Sequence, residues 1–260
     1  MEMHGNSLLE SHATNPNVPR KASFCATCKN RLWQLRHTLP LNIEAIRADG
    51  CAELVLVNYN SRDGLDDWVR QFQSEIDSGL LRYVHERTQP YFHCSKAKNL
   101  AHLAATGDFV VNLDADNFIG TTIATFREIW TEDSDTMIHG FCGDFHDGTY
   151  GRIGVPKGVF LALGGYDEGM LPIGHEDRDL IKRATAFGLK FRRLKQGGIP
   201  AIRNTIRDKM AYTGSAYSYK DMARINSARL EEHIRDGRLV ANVGRTPVRV
   251  LINFAVDVDL

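Results

Sequence analysis

The segment VVNLDADN, residues 110–117, ends an apolar run with two carboxylates, Asp114 and Asp116, one small residue apart. On a strand, residues i and i+2 project to the same side. Two carboxylates held that way repel, and each raises the other's pKa unless a cation joins them. An all-oxygen pair suits Mg2+ or Mn2+, with diphosphate oxygens and water completing the shell. The plain alternative is a strand-end turn with two solvated aspartates, and Asp-x-Asp alone favours it. Its place at the end of a fourth strand moves the balance toward a metal.

A second segment, LALGGYDEGMLPIGHEDRDLIKR, holds two glycines before Tyr166 and an acidic cluster, Glu176, Asp177 and Asp179. Gly164 and Gly165 allow a tight backbone turn. Acidic residues at a helix start stabilise it through the helix dipole. One carboxylate there facing a cleft is equally placed to act as a general base. The residues alone leave both readings open.

A third segment, FCATCKN, contains Cys25 and Cys28 in a Cys-x-x-Cys, the spacing of a thioredoxin-like redox site. No later proline is evident as the cis-proline such a site needs, and Cys51, Cys94 and Cys142 lack zinc-ligand spacing. Both cysteines are therefore read as small apolar residues on a strand and the loop after it. His93 beside Cys94 is read as a loop or packing pair. Trp33, Trp68 and Trp130 are read as core. Phe145, His146 and Tyr150 form an aromatic, glycine-rich loop suited to sugar stacking or to the surface. Residues 207–220, polar and glycine-containing, are read as a candidate lid that orders on donor binding, and Arg192 with Arg193 as a solvated face.

Alternating elements position these residues. Apolar strands are expected in ASFCAT, AELVLVN, LLRYVHE and DFVVNLD, with helices in NRLWQLRHTL, LDDWVRQFQSEI and SKAKNLAHLAAT, the last stopped by Gly107. Such alternation indicates a parallel, doubly wound α/β sheet. Ligands then sit beyond the carboxyl ends of the strands, here residues 27–30, 58–63, 86–88 and 114–116. In the second half, helices are expected in TTIATFREIW, KGVFLALGGYDE, EDRDLIKRATAFG and SYKDMARINSARLEEHIRDG, strands in TMIHGF and LKFRRL, and loop over residues 143–155.

Taken in order, TCKNRLWQLRHTLP, LVLVNYNSRD, SKAKNLAHLAATGDFVVNLDADN, GVFLALGGYDE and GHEDRDLIKR resemble the inverting glycosyltransferases of the GT-A fold, close to glycosyltransferase family 2 and to the carboxyl-terminal region of galactosyltransferases. The likeness spans roughly residues 22–195 and implies a Rossmann-like, mostly parallel sheet flanked by helices on both faces. It implies that Asp114 and Asp116 bind Mn2+ or Mg2+ on a nucleotide-sugar, that Asp177 activates the acceptor, and that Glu176 touches acceptor or donor sugar. Thr27, Asn30 and Arg31 match the first loop over the nucleotide, Asn58 and Asp63 the base-contacting positions, and Lys98 and Asn99 a helix start facing the diphosphate. Ala115 and Gly165 complete the nucleotide-sugar set. Asn58 stands where relatives carry aspartate. Relatives often supply a third metal ligand, His, from a later loop; here only His233, in an expected helix, follows His175, so Asn204 and Asp208 are the candidates and the sequence does not fix that ligand.

The implied activity is metal-dependent, inverting transfer of a sugar, expected from a UDP-sugar, to a sugar, lipid-linked or peptide acceptor. The alternatives are a nucleotidyltransferase acting on a sugar phosphate and a non-catalytic nucleotide-sugar-binding protein. The chain divides into an arm over 1–20, a nucleotide-sugar half over 21–120, an acceptor and catalytic half over 121–210, and a carboxyl-terminal helix and tail over 211–260. Its 260 residues carry 32 Lys+Arg against 32 Asp+Glu, a balance with no general pull on nucleic acid or anionic membrane. Five cysteines do not form a secreted disulfide framework, the N-terminus has no signal-peptide core, and no apolar run approaches the ~20 residues of a membrane span. A cytoplasmic protein is expected.

Overall fold

The computed structural model describes residues 20–141, 148–194 and 201–260. Four near-continuous apolar runs become the centre of a sheet: β1 (Ala22–Cys28), β2 (Ala52–Tyr59), β3 (Leu81–Glu86) and β4 (Phe109–Asn112). They lie in the order β4-β1-β2-β3, all parallel. Strands buried on both faces need no polar alternation. Phe24, Ala26, Leu54 and Leu56 feed one core, and Cys25, Val55, Val57 and Val84 the other.

Helices cover both faces. The first core takes α1 (Leu32–Asp49) and α5 (Thr122–Glu132), with α2 (Leu65–Val69) and α3 (Gln73–Asp77) joined by a 3-10 turn over Arg70–Phe72. The second takes α4 (Cys94–Ala104), α6 (Lys157–Ala162) and α7 (Glu176–Phe187). This is the α/β, GT-A-type layering expected. Gly107 does not stop α4, which ends at Ala104 when Ala105 turns extended. Trp130 is core, stacked on Phe109 at 4.0 Å, and Trp68 is partly buried against Phe72. Trp33 is not core: it is 50% exposed, because Leu32, Leu35, Leu39 and Ile43 point α1's inner stripe elsewhere.

The strands expected in TMIHGF and LKFRRL form, and the sheet extends beyond them through three more. β5 (Thr136–His139) and β7 (Lys190–Arg193) run parallel to each other, and β6 (Ile153–Pro156) joins β5 to β4 by antiparallel pairing. The loop read over 143–155 thus ends in a strand. After α8 (Ile206–Met210) and α9 (Tyr219–Arg235), the last residues are not a plain tail. β8 (Arg249–Ile252) and β9 (Val256–Asp259) form a hairpin that adds antiparallel to β3. The unexpected strands, β6, β8 and β9, are each four residues long, too short for a hydrophobic period to mark them.

Cys25 and Cys28 face opposite cores of the sheet, so they cannot bridge without breaking β1. Burial pushes the Cys25 thiol far up and Cys28 up to about 12, the reverse of a reactive pair. Phe145, His146, Cys142 and the arm up to residue 19 lie outside the described residues. No described helix is long and apolar enough to cross a membrane.

Candidate active site

A cavity of about 930 Å³ opens at the carboxyl ends of β1 and β4. Its wall includes Thr27, Arg31, Lys98, Asp114, Ala115, Asp116, Glu176 and Asp177, which brings together eight of the expected site residues. A smaller cavity of about 300 Å³ touches Tyr59, Lys96, Glu168 and Arg245 and holds no carboxylate pair, since Glu168 is tied to Arg245 at 3.0 Å.

Asp114 and Asp116 come together for a different reason from strand alternation. β4 stops at Asn112, and Asn117 N–H closes a turn onto the Asp114 carbonyl at 2.8 Å. The Asn112 amide donates to Asp114 Oδ1 at 3.3 Å and to the Gly151 carbonyl at 2.8 Å. Asp116 accepts from the Asn117 amide at 2.9 Å and from Asn204. Burial, then the Asp114 charge, pushes Asp116 up to about 6.

The second acidic group enters from α7. Gly174 and His175 both take positive φ, 101° and 67°, and aim the first turn of α7 at the cavity. The Asn226 amide of α9 fastens this approach, accepting from Leu171 N–H at 2.7 Å and donating to the Gly174 carbonyl at 2.7 Å. Of the three acidic residues, Asp179 turns inward to a buried ion pair with Arg183 at 2.6 Å. Glu176 and Asp177 meet Lys98 of α4 instead, at 3.1 and 2.7 Å.

Lys98 is buried, which alone would lower its pKa, but Asp177, Glu176 and Asp114 hold it well above the usual lysine value. Burial likewise works against Glu176, yet Lys98 and the Gly174 N–H keep it below the usual carboxylate range. Asp177 goes the other way, to about 7: burial raises it, Glu176 and Asp114 add to that, and Lys98 offsets only part. Two adjacent carboxylates thus titrate apart, the pattern of an acid/base site.

Gly151 sets the spacing between the two groups. A β-carbon there would lie 2.8 Å from Asp114 Oδ2 and 3.1 Å from Asp177 Oδ2. Only a residue without a side chain lets both oxygens share that space. Among the described residues, no three His, Cys, Asp or Glu side chains form a metal-sized cluster. Two carboxylates still fit Mg2+ or Mn2+ when substrate phosphate and water supply the rest. Of the candidate third ligands, Asn204 lies at the pair, its amide N–H on Asp116 and its Oδ1 accepting from Gln34 at 2.6 Å, whereas Asp208 closes a capping box with Thr205 and does not line the cavity.

Five expected site residues do not line the cavity. Asn30 accepts from Arg62 N–H at 2.6 Å. Asn58 donates to Asp66 at 2.9 Å and accepts from Ser61 N–H at 2.8 Å. Asp63 caps α1 through Leu32 N–H at 2.8 Å. Asn99 clamps both the N–H and the carbonyl of Tyr166. Gly165 packs so closely on Asn99 that a β-carbon would lie 2.5 Å from its Oδ1. All five brace the loops that carry the wall. Lys29 was missed by sequence reasoning: its ammonium donates to the carbonyls of Tyr59, Asn60 and Gln89 at 3.0, 3.0 and 3.2 Å, tying three strand ends together beneath the cavity. His93 caps α4 and contacts the Met170 carbonyl at 3.0 Å, and burial leaves the Cys94 thiol protonated, so they are no nucleophile pair.

Residues 23–150 match the sequence family described as glycosyl transferase family 2. The chain carries a glycosyltransferase family 2 domain of the GT-A fold. Solved structures similar to this glycosyltransferase include the mannosyltransferase PcManGT from Pyrobaculum calidifontis in complex with GDP-Man and Mn2+. That pair shares 16% identity at a TM-score of 0.59, over 91% of this chain and 77% of that one. S. aureus TarS 1-349 in complex with UDP-GlcNAc shares 16% identity at 0.58, over 83% and 73%. GalNAc-T7 with UDP, GalNAc and Mn2+ shares 15% identity at 0.59, over 84% of this chain and 48% of that one. No curated protein sequence matches the glycosyltransferase significantly.

Proposed function

We propose that the protein transfers a sugar from a nucleoside diphosphate-sugar, a UDP-sugar in our reading, to an acceptor hydroxyl with inversion at the anomeric carbon. The observation that carries this is the meeting of two carboxylate pairs, Asp114 with Asp116 and Glu176 with Asp177, in one cavity beyond β1 and β4. Asp114 and Asp116 would hold Mn2+ or Mg2+. Bound there, the cation would neutralise the diphosphate leaving group as a Lewis acid.

The chain's own residues do the rest. Arg31, Arg203 and Lys209 line the cavity and supply positive charge for the diphosphate. Asp177 is the general base: held near neutrality by burial, it takes the proton of the attacking hydroxyl. Lys98 aligns Asp177 and keeps Glu176 ionised beside it. A base on the acceptor side needs no covalent intermediate, so the displacement inverts the centre.

The test is release of nucleoside diphosphate from a panel of UDP- and GDP-sugars with and without Mn2+. Proton NMR of the first product reports its anomeric configuration. Turnover that needs the cation, vanishes in Asp116→Ala and inverts the centre supports the proposal. Retention of configuration, or turnover indifferent to Asp116, refutes it.

A further inference from the structure

The cavity also gathers aromatic side chains. Phe92, Tyr212 and Tyr219 line it. Phe92 N–H donates to the Tyr212 carbonyl at 2.7 Å, which zips residues 91–92 to residues 212–214. The Tyr91 ring lies on Gly214, so close that a β-carbon there would be 2.3 Å from it. Tyr219 begins α9 within the field of Glu176 and Asp177, which, after burial, push its phenol up. Arg31 and Arg203 sit toward Asp116, whereas Lys98 and Arg178 lie at the second acidic pair. Arg203 flanks Asn204, which is bound to Asp116, and Arg31 donates to the Asp208 carbonyl at 3.0 Å.

The exposure of this aromatic rim is unusual. Tyr91 is 60% exposed and Tyr212 37%, two large rings left open to solvent on neighbouring loops. Their chemistry narrows the ligand. A pyranose offers a C–H face for a flat ring and hydroxyls around its edge. Tyrosine supplies the ring and a polar tip, and Glu176 and Asp177 supply acceptors for hydroxyl protons. The wall also carries aliphatic Ile173, Ile202 and Ile206, so a lipid-linked acceptor is the competing outcome of the test. A peptide bound by strand addition would need an open sheet edge, and the edges are β7 and β9, whereas the cavity opens over central β1 and β4.

We infer that the acceptor is a saccharide whose ring stacks on Tyr212 and Tyr219 beside Asp177, with Tyr91 extending the platform outward. This rests on the glycosyl-transfer reading above, but its test needs no donor. Saturation-transfer NMR of the full chain is run with cellobiose, maltose, lactose and chitobiose. A serine-rich peptide and phosphatidylglycerol vesicles serve as comparators.

At least one disaccharide is expected to bind through its C–H protons. Its affinity should fall about tenfold in Tyr212→Ala and in Tyr219→Leu, and hold within about twofold in Tyr212→Phe. Binding of no disaccharide, unchanged binding in both truncations, or stronger binding of peptide or vesicles overturns the inference. A thermal-shift titration of nucleotide-sugar with Mn2+ on the same preparation separates the two claims. Donor binding without saccharide binding sinks only the acceptor assignment. Saccharide binding without donor binding sinks only the transfer reading.

Discussion

Lys98 Nζ lies 2.7 Å from Asp177 Oδ1, and this one contact joins the helix after β3 to the helix that carries the second acidic pair. Lys98 also reaches Glu176 and stands over the Tyr166 ring at 5.2 Å. Its ammonium is thus the sole described cation in contact with both carboxylates. Lys98→Met leaves two buried carboxylates without a counter-charge. Removing one partner of a buried ion pair costs about 3 kcal/mol or more, which for a chain of this size lowers Tm by about 6 °C or more. Thermal unfolding followed by circular dichroism measures it, and an unchanged Tm would show the pair to be dispensable.

Asp177→Asn keeps the shape and a hydrogen-bond acceptor for Lys98 but removes the proton acceptor. Loss of a general base typically costs about 10²–10⁴-fold in rate. Transfer should fall by that range while donor affinity, read by calorimetry, stays within about threefold. Equal loss of donor binding would reassign Asp177 to the donor site.

Gly151→Ala tests the shared space between Asp114 and Asp177. The new methyl would stand 2.8 and 3.1 Å from their oxygens, so both side chains must shift by tenths of an ångström. Small misplacements of catalytic groups cost rate steeply. Turnover should drop at least about tenfold with Tm nearly unchanged, because the methyl enters the cavity rather than the core. Wild-type kcat in this variant would mean that the two carboxylates do not work together.

Much of this arrangement was legible in the residues. The four parallel strands are long apolar runs, and the Asp-x-Asp and His-Glu-Asp segments fall at ends that the topology brings together. What stayed hidden depends on contacts between distant parts of the chain. Gln34 holding Asn204, Asn226 holding the turn before α7, and Lys29 bridging three strand ends each join residues 30 or more apart. No local pattern marks them. Asn30 and Asn99 lie next to wall residues in sequence, yet their side chains, like those of Asn58 and Asp63 and the close-packed backbone of Gly165, serve the loops. β6 and the β8–β9 hairpin escaped for a related reason: pairing with a neighbouring strand, not their own period, makes them strands.

His102 gives the fold an acid-side liability. Its ring is buried, stacked on Phe160 at 4.6 Å, with Nδ1 2.7 Å from the Lys98 carbonyl. Burial lowers its pKa to about 3, and the Lys98 charge adds to that, while the carbonyl contact opposes. An unfolded histidine titrates near 6.5. Between those values the unfolded chain binds a proton that the folded chain refuses, so stability falls as pH drops below about 6.5 and this contribution levels off near pH 3. The slope reaches about 1.4 kcal/mol per pH unit, or about 2 kcal/mol by pH 5. Above pH 7 the residue is neutral in both states and adds no pH dependence. Urea unfolding of wild type and His102→Gln at pH 7.5 and pH 5 isolates the effect, because the carboxylates contribute equally to both proteins. The variant should lose about 2 kcal/mol less than wild type over that interval, and equal losses would mean that His102 is protonated inside the fold.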